Sequence, residues 1–398
     1  MKVLADGSNE FAVFLYYFIA YCVFDMVYCL LDTPYAALAA DMSHDYKERV
    51  YLSAFRMGFS QFSAILSTAV APVLLLSFSY SSNAYALMAG VFACLYSVVW
   101  IFVFFGTREI PPKVTKKHAR RSIGVALGVS FKDFFSTFKN KTFRAHLGLF
   151  LCSFAALDVL MSFAAYFMKV YLGDPSLLPM VSAMWIAQLC ILPLYVLVAK
   201  SYSMAVAFRI GAVIWLIAII SMITLTPDNA SRLNVAFHFA LIGIGLSPCY
   251  VVPMMMLSFV TEVDTLLTGK RRTGIYAGTM SFARKLSQGI FILPGLGFIL
   301  TFAGYSSHAK VQTHDTVMLI HWVFIIVPMI LIVCSFLFSL KCYVNRKNFH
   351  YIKDEVERLE SGETSESTCD LTKELCAKVT GKSYHNLIAR WRVDNARS

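Results

Sequence analysis

Residues 316–340 read TVMLIHWVFIIVPMILIVCSFLFSL, an apolar stretch without one Asp, Glu, Lys or Arg. A helix needs about 20 apolar residues to cross the hydrocarbon core of a bilayer, where its backbone polar groups must bond within their own segment. This stretch is therefore expected to span a membrane. Working outward, runs of the same kind recur near 11–38, 50–78, 84–106, 145–172, 178–199, 203–226, 233–260 and 273–303, so that with 316–341 about nine transmembrane helices are expected. Composition agrees: 58% of the 398 residues are hydrophobic and 15% are charged, and the mean hydropathy is +0.63. Such a chain is an all-α polytopic membrane protein with no room for a separate soluble catalytic domain. No short hydrophobic run with a cleavage-type flank precedes the first span, so no removable signal peptide is expected.

Charge placement gives the topology. The net charge of +11 comes mostly from loops that follow every second span: Lys47 and Arg49, the cluster from Arg108 to Arg144, Lys200, Lys270 to Arg272, and Lys341 to Lys347. The alternate loops hold little besides Arg232 and Lys310. Lys and Arg concentrate on the cytoplasmic side, which puts the amino terminus outside and the carboxyl terminus in the cytoplasm. Topology accounts for the basic balance, and no nucleic-acid partner is expected.

Four regions follow. Residues 1–106 make a partial amino-terminal bundle of three helices, and 107–143 a basic cytoplasmic linker. That linker carries Pro111-Pro112 and then Phe131, Phe134, Phe135 and Phe138 at the spacing of a surface helix. Residues 144–344 make a six-helix bundle. Residues 345–398, with Glu355, Glu357, Glu360 and Glu363 among serines and threonines, make a soluble cytoplasmic tail.

Enzyme signatures are absent: there is no GxSxG, HExxH, Walker loop or CxxC spacing. The ten cysteines fall mainly in apolar runs and read as small packing residues. Neither a cofactor nor a structural metal is expected.

The informative residues are charges inside spans, because an ionisable group at the bilayer centre costs about 2.5 kcal/mol or more unless it is paired or faces water. Asp32 lies in the first span, Arg56 in the second, Asp158 in the fourth and Lys285 in the eighth. Asp25 is two turns before Asp32 on the same helical face. A carboxylate facing a small gap can take Na⁺ or H⁺, and a buried Lys or Arg can neutralise it when the cation leaves. Structural ion pairing or snorkelling is the plainer explanation of the same residues. Two loops on the expected cytoplasmic side mix both signs, one with Asp45 and Arg49, the other with Glu262, Asp264 and Arg271. Salt bridges between them would make an inner gate. His238 and His321 stand alone on apolar spans and read as core histidines.

The run Asp32-Thr33-Pro34-Tyr35, with Ala37-Leu38, Asp45, Arg49, Leu52 and Arg56, resembles the fourth helix, following loop and fifth helix of the glycoside-pentoside-hexuronide:cation symporters. This is the group of the bacterial melibiose permease within the major facilitator superfamily. Glu262, Asp264, Thr268-Gly269-Lys270-Arg271, Gly274, Gly278, Phe282, Lys285-Leu286 and Gly304-Tyr305 are similar to its tenth-to-eleventh helix region. Asn140-Lys141, with Phe143-Arg144, resembles the entry to its seventh helix.

The resemblance implies a major facilitator fold and symport of a sugar or related small polar solute with a cation. It implies an acidic cation and sugar site at Asp32, a sugar-proximal Arg56, a Lys285 that approaches the cation and a hydroxyl at Ser281. Cys29 stands where the permease has a cation-ligating threonine and offers no hard side-chain oxygen, so the coupling ion is left as H⁺ or Na⁺. Ala36 replaces a sugar-stacking aromatic, and Phe259 replaces the first aspartate of the tenth-helix motif. The chain begins where the family's fourth helix begins. The three helices that precede it in the family, with two cation-site carboxylates in the second, are expected to be missing from this sequence. Two alternatives stay open: a symporter of lysolipids or other amphiphiles from the same superfamily, or a truncated membrane protein that does not transport. The expected location is the plasma membrane or a bacterial inner membrane.

Overall fold

The computed structural model describes residues 10–42, 46–77, 82–108, 133–270, 272–306, 312–342, 346–361, 363 and 369–395. Regular structure among them is entirely helical. Three long helices come first, α1 (Glu10–Asp41), α2 (Tyr46–Ser77) and α3 (Ser82–Gly106). A single helical turn at 133–137 precedes α4 (Lys141–Tyr166), which continues through a π-helical turn to Tyr171. Then follow α5 (Ser182–Ser201), α6 (Met204–Ser221), α7 (Arg232–Thr268), α8 (Thr273–Ser287), α9 (Leu293–Phe302) and α10 (His314–Ser339). A π-helical turn at Gln288–Ile292 fuses α8 and α9 into one segment. The polar end of the chain forms α11 (Arg346–Glu360), α12 (Asp370–Thr380) and α13 (Tyr384–Asn395).

Among the described residues, eight segments are long and apolar enough to cross a membrane, one for each expected span except the second. The protein is thus an integral multi-pass membrane protein. The second expected span is α2, equally long, which opens with Lys47, Glu48 and Arg49 and carries Arg56. Most of the expected linker, 109–132, lies outside the described residues. Beyond it, Phe134 packs edge-on to Phe138 and Phe282, at 5.7 and 5.5 Å between ring centroids.

Side chains set the helix starts. The first turn of a helix leaves backbone N–H groups without carbonyl partners, and a preceding Asn, Ser or Thr can accept from one. Asn140 accepts from Phe143 N at 3.2 Å, Ser231 from Asn234 N at 3.2 Å and Thr313 from Thr316 N at 3.3 Å. At the other end of α7, Gly269 takes a left-handed φ of 65° that any side chain would resist, and its N–H closes on Thr265 O.

The core lies among α4 to α10. In lipid, helices associate through close packing and polar contacts, so small residues and hydroxyls mark the seams. Ser153 and Ser335 hydroxyls meet at 2.7 Å between α4 and α10, and Ser247 donates to Gln188 O at 3.0 Å between α7 and α5. His146 Nε2 sits 2.7 Å from Pro253 O, tying α4 to the proline-bearing middle of α7. Both lone histidines sit in packed surroundings: His238 meets Asn234 O at 2.9 Å, and His321 stacks on Tyr171 at 4.1 Å. α2 joins this core along one stripe, Arg49, Val50, Ser53, Ala54, Met57 and Gln61, buried against α5 and α7. By contrast α1 and α3 leave most of their large apolar side chains exposed, a surface suited to lipid.

The carboxyl-terminal region, expected as a soluble tail, is folded onto the bundle. Phe349, Ile352, Val356 and Leu359 of α11, with Val379, Leu387, Ile388 and Trp391, are buried in the main core. Trp391 Nε1 donates to Leu266 O at 2.9 Å, and Thr142 Oγ1 donates to Val379 O at 2.7 Å.

The α6–α7 crossing allows no side chain at Gly245, where a Cβ would lie 2.2 Å from Trp215 N. Gly245→Ala is expected to cost about 1–3 kcal/mol by overpacking and to lower the melting temperature in detergent. Gly90→Ala, which meets nothing within 4 Å, is the control expected to melt as the unaltered protein does.

Candidate functional site

Two polar faces oppose each other in the middle of otherwise apolar helices. On α1, Asp25, Tyr28, Cys29 and Asp32 recur at intervals of three and four residues, which places them on one side. On α8 Ser281, Arg284 and Lys285, with Gln288 at the start of the π-helical turn that follows, recur in the same way. The helices approach closely where Gly278 faces Thr33, whose methyl is 3.5 Å from the place a Cβ would take.

Three acid–base pairs cross between helices here. Lys285 Nζ donates to Asp25 Oδ1 at 2.5 Å, joining α8 to α1. Arg56 of α2 lies 3.7 Å from Asp32 and 4.6 Å over the Tyr35 ring, which in turn packs on Trp100 of α3 at 5.4 Å. Asp158 of α4 accepts from Gln288 Nε2 at 2.9 Å and from Arg284 at 3.5 Å. Arg284 also stacks over Phe154 at 4.3 Å, while its Nε is buried with no hydrogen-bond partner. The pairs keep side-chain exposures of 16–41%, so they are not sealed in packing.

The sequence-expected residues fall as follows. Asp32 and Arg56 are brought together. Lys285, expected near Asp32, bonds instead to Asp25, two turns earlier on α1. Rotation of α8 decides this, since its lysine meets the α1 face at the level of Asp25. Cys29 lies between the carboxylates, within electrostatic reach of Asp25, Lys285 and Asp32. Ser281 is half-buried on the α8 polar face. Arg284, Gln288 and Tyr28 were not singled out from sequence. For Arg284 the signal was present, because it too is a charge inside an expected span.

The second cluster lies at the end of the helices that carries the basic loops. Arg49 of α2 pairs with Glu262 of α7 at 2.9 Å and donates to Ser258 O at 3.4 Å, with both charged groups nearly buried. Lys200 at the end of α5 donates to the Tyr51 hydroxyl of α2. Asp264 does not reach toward α2. It takes a two-pronged contact from Arg272 at 2.7 and 2.9 Å and accepts from the Tyr276 hydroxyl at 2.7 Å. Arg272 further donates to Ser136 at 2.7 Å, so Asp264 anchors the α7–α8 turn to the segment before α4. Burial works to lower the Arg272 pKa, but the bond and charge of Asp264 outweigh it and the guanidinium is held above its ordinary value. Asp45 and Arg271, the other expected gate residues, lie outside the described residues.

A cavity of about 380 Å³ opens between α4, α9 and α10. Its lining is apolar except at Ser162 and Ser287, which adjoin the Asp158 and Gln288 cluster in sequence and structure. Phe291 at its wall is largely exposed.

Comparison with known proteins agrees with this architecture. Residues 5–344 match the family model described as MFS/sugar transport protein. An uncharacterized symporter of Synechocystis sp. is 24% identical over 378 residues, covering 75% of this chain and 69% of the relative. The inner membrane symporter YicJ of Escherichia coli is 24% identical over 376 residues, covering 90% and 76%. The sodium-dependent lysophosphatidylcholine symporter 1-A of Danio rerio is 23% identical over 405 residues, covering 90% and 72%. The chain belongs to the MFS/sugar transport protein family, and its work is transport across a membrane, not catalysis.

Proposed function

We propose that this chain is a secondary active transporter of the glycoside-pentoside-hexuronide:cation type, carrying a sugar or related small polar solute together with H⁺ or Na⁺ by alternating access. The observation that carries this is the opposition of the α1 and α8 polar faces in the middle of the spans: Lys285–Asp25 bridges α8 to α1, and it is flanked by Arg56–Asp32 between α2 and α1 and by Arg284–Asp158 between α8 and α4. In this reading α2 also spans the membrane and brings the count to nine. The first three spans belong to the amino-terminal bundle and the other six to the carboxyl-terminal bundle. The basic loops and the carboxyl terminus face the cytoplasm of a plasma or bacterial inner membrane.

The chemistry follows from charge balance. Asp25, Asp32 and Asp158 match Lys285, Arg56 and Arg284 respectively. A cation entering beside Asp32 competes with Arg56, whose 3.7 Å contact is the loosest of the three. Arg56 is then free to donate to hydroxyl or acidic groups of the solute, with Tyr35 and Trp100 as apolar walls. Cys29 supplies no hard oxygen, so the carboxylate carries the cation affinity. Asp25 and Lys285 couple the occupied site to movement, because the pair joins helices that must separate when the cavity opens the other way. Arg49 and Glu262 close the cytoplasmic side in this conformation.

A second reading is transport of an amphiphile, as the name of the zebrafish relative describes for that protein. The apolar cavity between α4, α9 and α10 favours it, since a sugar has no use for such a wall. Uptake of labelled sugars and of labelled lysolipids into proteoliposomes, each under imposed proton and sodium gradients, separates the two.

Asp32→Asn is expected to reduce gradient-driven uptake at least tenfold, to the level of empty vesicles, while solute exchange without a gradient is less affected. Unchanged gradient-driven uptake removes Asp32 from the coupling site. Asp25→Asn leaves Lys285 without its carboxylate and is expected to lower the melting temperature by several degrees. Adding Lys285→Met should restore much of that loss, because the stranded charge and not the missing bond is the larger cost. A double variant no more stable than Asp25→Asn contradicts the pairing.

A further inference from the structure

We propose that the carboxyl-terminal helices are a working part of the inner gate, and that Phe349 is a positioning residue that holds Arg49 on Glu262. The family match ends at residue 344, so α11 to α13 lie beyond it. They are nevertheless built into the protein. α12 is tied to α4 by Thr142 and Val379, and α13 to α7 by Trp391 and Leu266. α11 and α13 are tied to each other by Arg358, which donates to both Glu355 and Tyr384 at 2.8 Å. These anchors fasten the cap to the carboxyl-terminal bundle.

From there α11 reaches the amino-terminal bundle at the gate. Phe349, 2% exposed, faces the Arg49 guanidinium at 5.6 Å and the Phe259 ring of α7 at 6.0 Å. Arg49 is 4% exposed, so its charge has a carboxylate, a carbonyl and an aromatic face as surroundings in place of water. A guanidinium over a ring is attracted to the ring's negative face, most strongly when water is excluded. When the inner side opens, Arg49 leaves Glu262 and Phe349 together. The cap therefore binds the closed state better than the open one, and by linkage it shifts the population toward closed. Phe259, which stands where the resembled family has an aspartate, is the α7 side of the same aromatic seat.

This rests on the alternating-access reading, and its test is chosen to be read without solute. Ser53 lies one turn beyond Arg49 on α2 and is buried in the closed arrangement. In inside-out vesicles, the full chain carrying Ser53→Cys is treated with a membrane-impermeant maleimide, and labelling of that peptide is followed by mass spectrometry. Phe349→Ala is expected to raise the labelling rate at least threefold, Arg49→Ala to do likewise, and the double variant to exceed neither by much, since both break one contact. Phe349→Leu, which keeps the apolar volume but not the ring face, is expected to give an intermediate rise and serves if the alanine variant does not fold. Labelling unchanged in the Phe349 variants while Arg49→Ala accelerates it overturns the proposal, as does full additivity of the two. Uptake is measured on the same vesicles. If no variant moves solute but labelling responds as expected, the transport reading fails and the gate assignment stands.

Discussion

A charge held in hydrocarbon needs a partner or water, and that constraint fixes how the first helices dock on the rest. α1 illustrates it. None of its most apolar window is buried, whereas 67% of the corresponding window of α7 is. Apolar packing therefore contributes little to where α1 sits. What positions it is the Lys285–Asp25 bond, the Arg56–Asp32 contact and the close approach of Thr33 to Gly278. Because each partner lies on a different helix, the pairs specify both which helices are neighbours and how each is rotated about its axis. A purely apolar interface in lipid would specify neither strongly, since lipid tails satisfy an exposed Leu as well as another helix does.

The same pairs make the site responsive. Three carboxylates facing three bases form a nearly neutral set, so an added cation unbalances it unless a base withdraws or an acidic or hydroxylic group arrives. A rigid, fully buried set would resist the exchange. Here the tightest contact, Lys285 with Asp25, joins α8 to α1, while the looser ones at 3.5 and 3.7 Å are those at which the proposed cation or solute would compete. The Arg284 Nε is buried without a hydrogen-bond partner beside this set.

Much of this was legible in the order of residues. Apolar length located eight of the nine expected spans among the described residues, because bilayer thickness permits few other solutions. The rule that a charge in a span must be explained picked out Asp32, Arg56, Asp158 and Lys285. Applied evenly, it also reaches Arg284, which sits beside Lys285 and escapes notice for that reason. Gln288 carries no charge, and nothing in its surroundings marks it. Pairing was harder. Lys285 with Asp25 instead of Asp32, and Asp264 with Arg272 instead of the loop after α1, depend on helix rotation and turn geometry, which a one-dimensional pattern does not contain. The packing of the carboxyl-terminal region onto the bundle was not read from sequence, because its glutamates dominate a composition average. The spacing of Phe349, Ile352, Val356 and Leu359 is nonetheless that of one buried helical stripe, and periodicity outweighs composition over a segment so short.

The inner seam shows why an ion pair is suited to a place that apolar packing would hold more firmly. Two buried charges lose hydration that their mutual attraction repays only in good geometry, so such a pair adds little to stability compared with well-packed apolar groups. Its value lies in steepness. A shift of an ångström or two exposes both groups to water, which solvates them and removes the attraction at once. An apolar contact of similar area weakens gradually as it parts. In the proposed gate, Arg49 and Glu262 therefore form an element with two preferred arrangements, paired and dry or separated and wet, with little between them. Such an element suits a gate that must be closed or open and must not leak. As proposed, Phe349 and Phe259 deepen the dry arrangement by excluding water around Arg49, without adding a contact that would survive its opening.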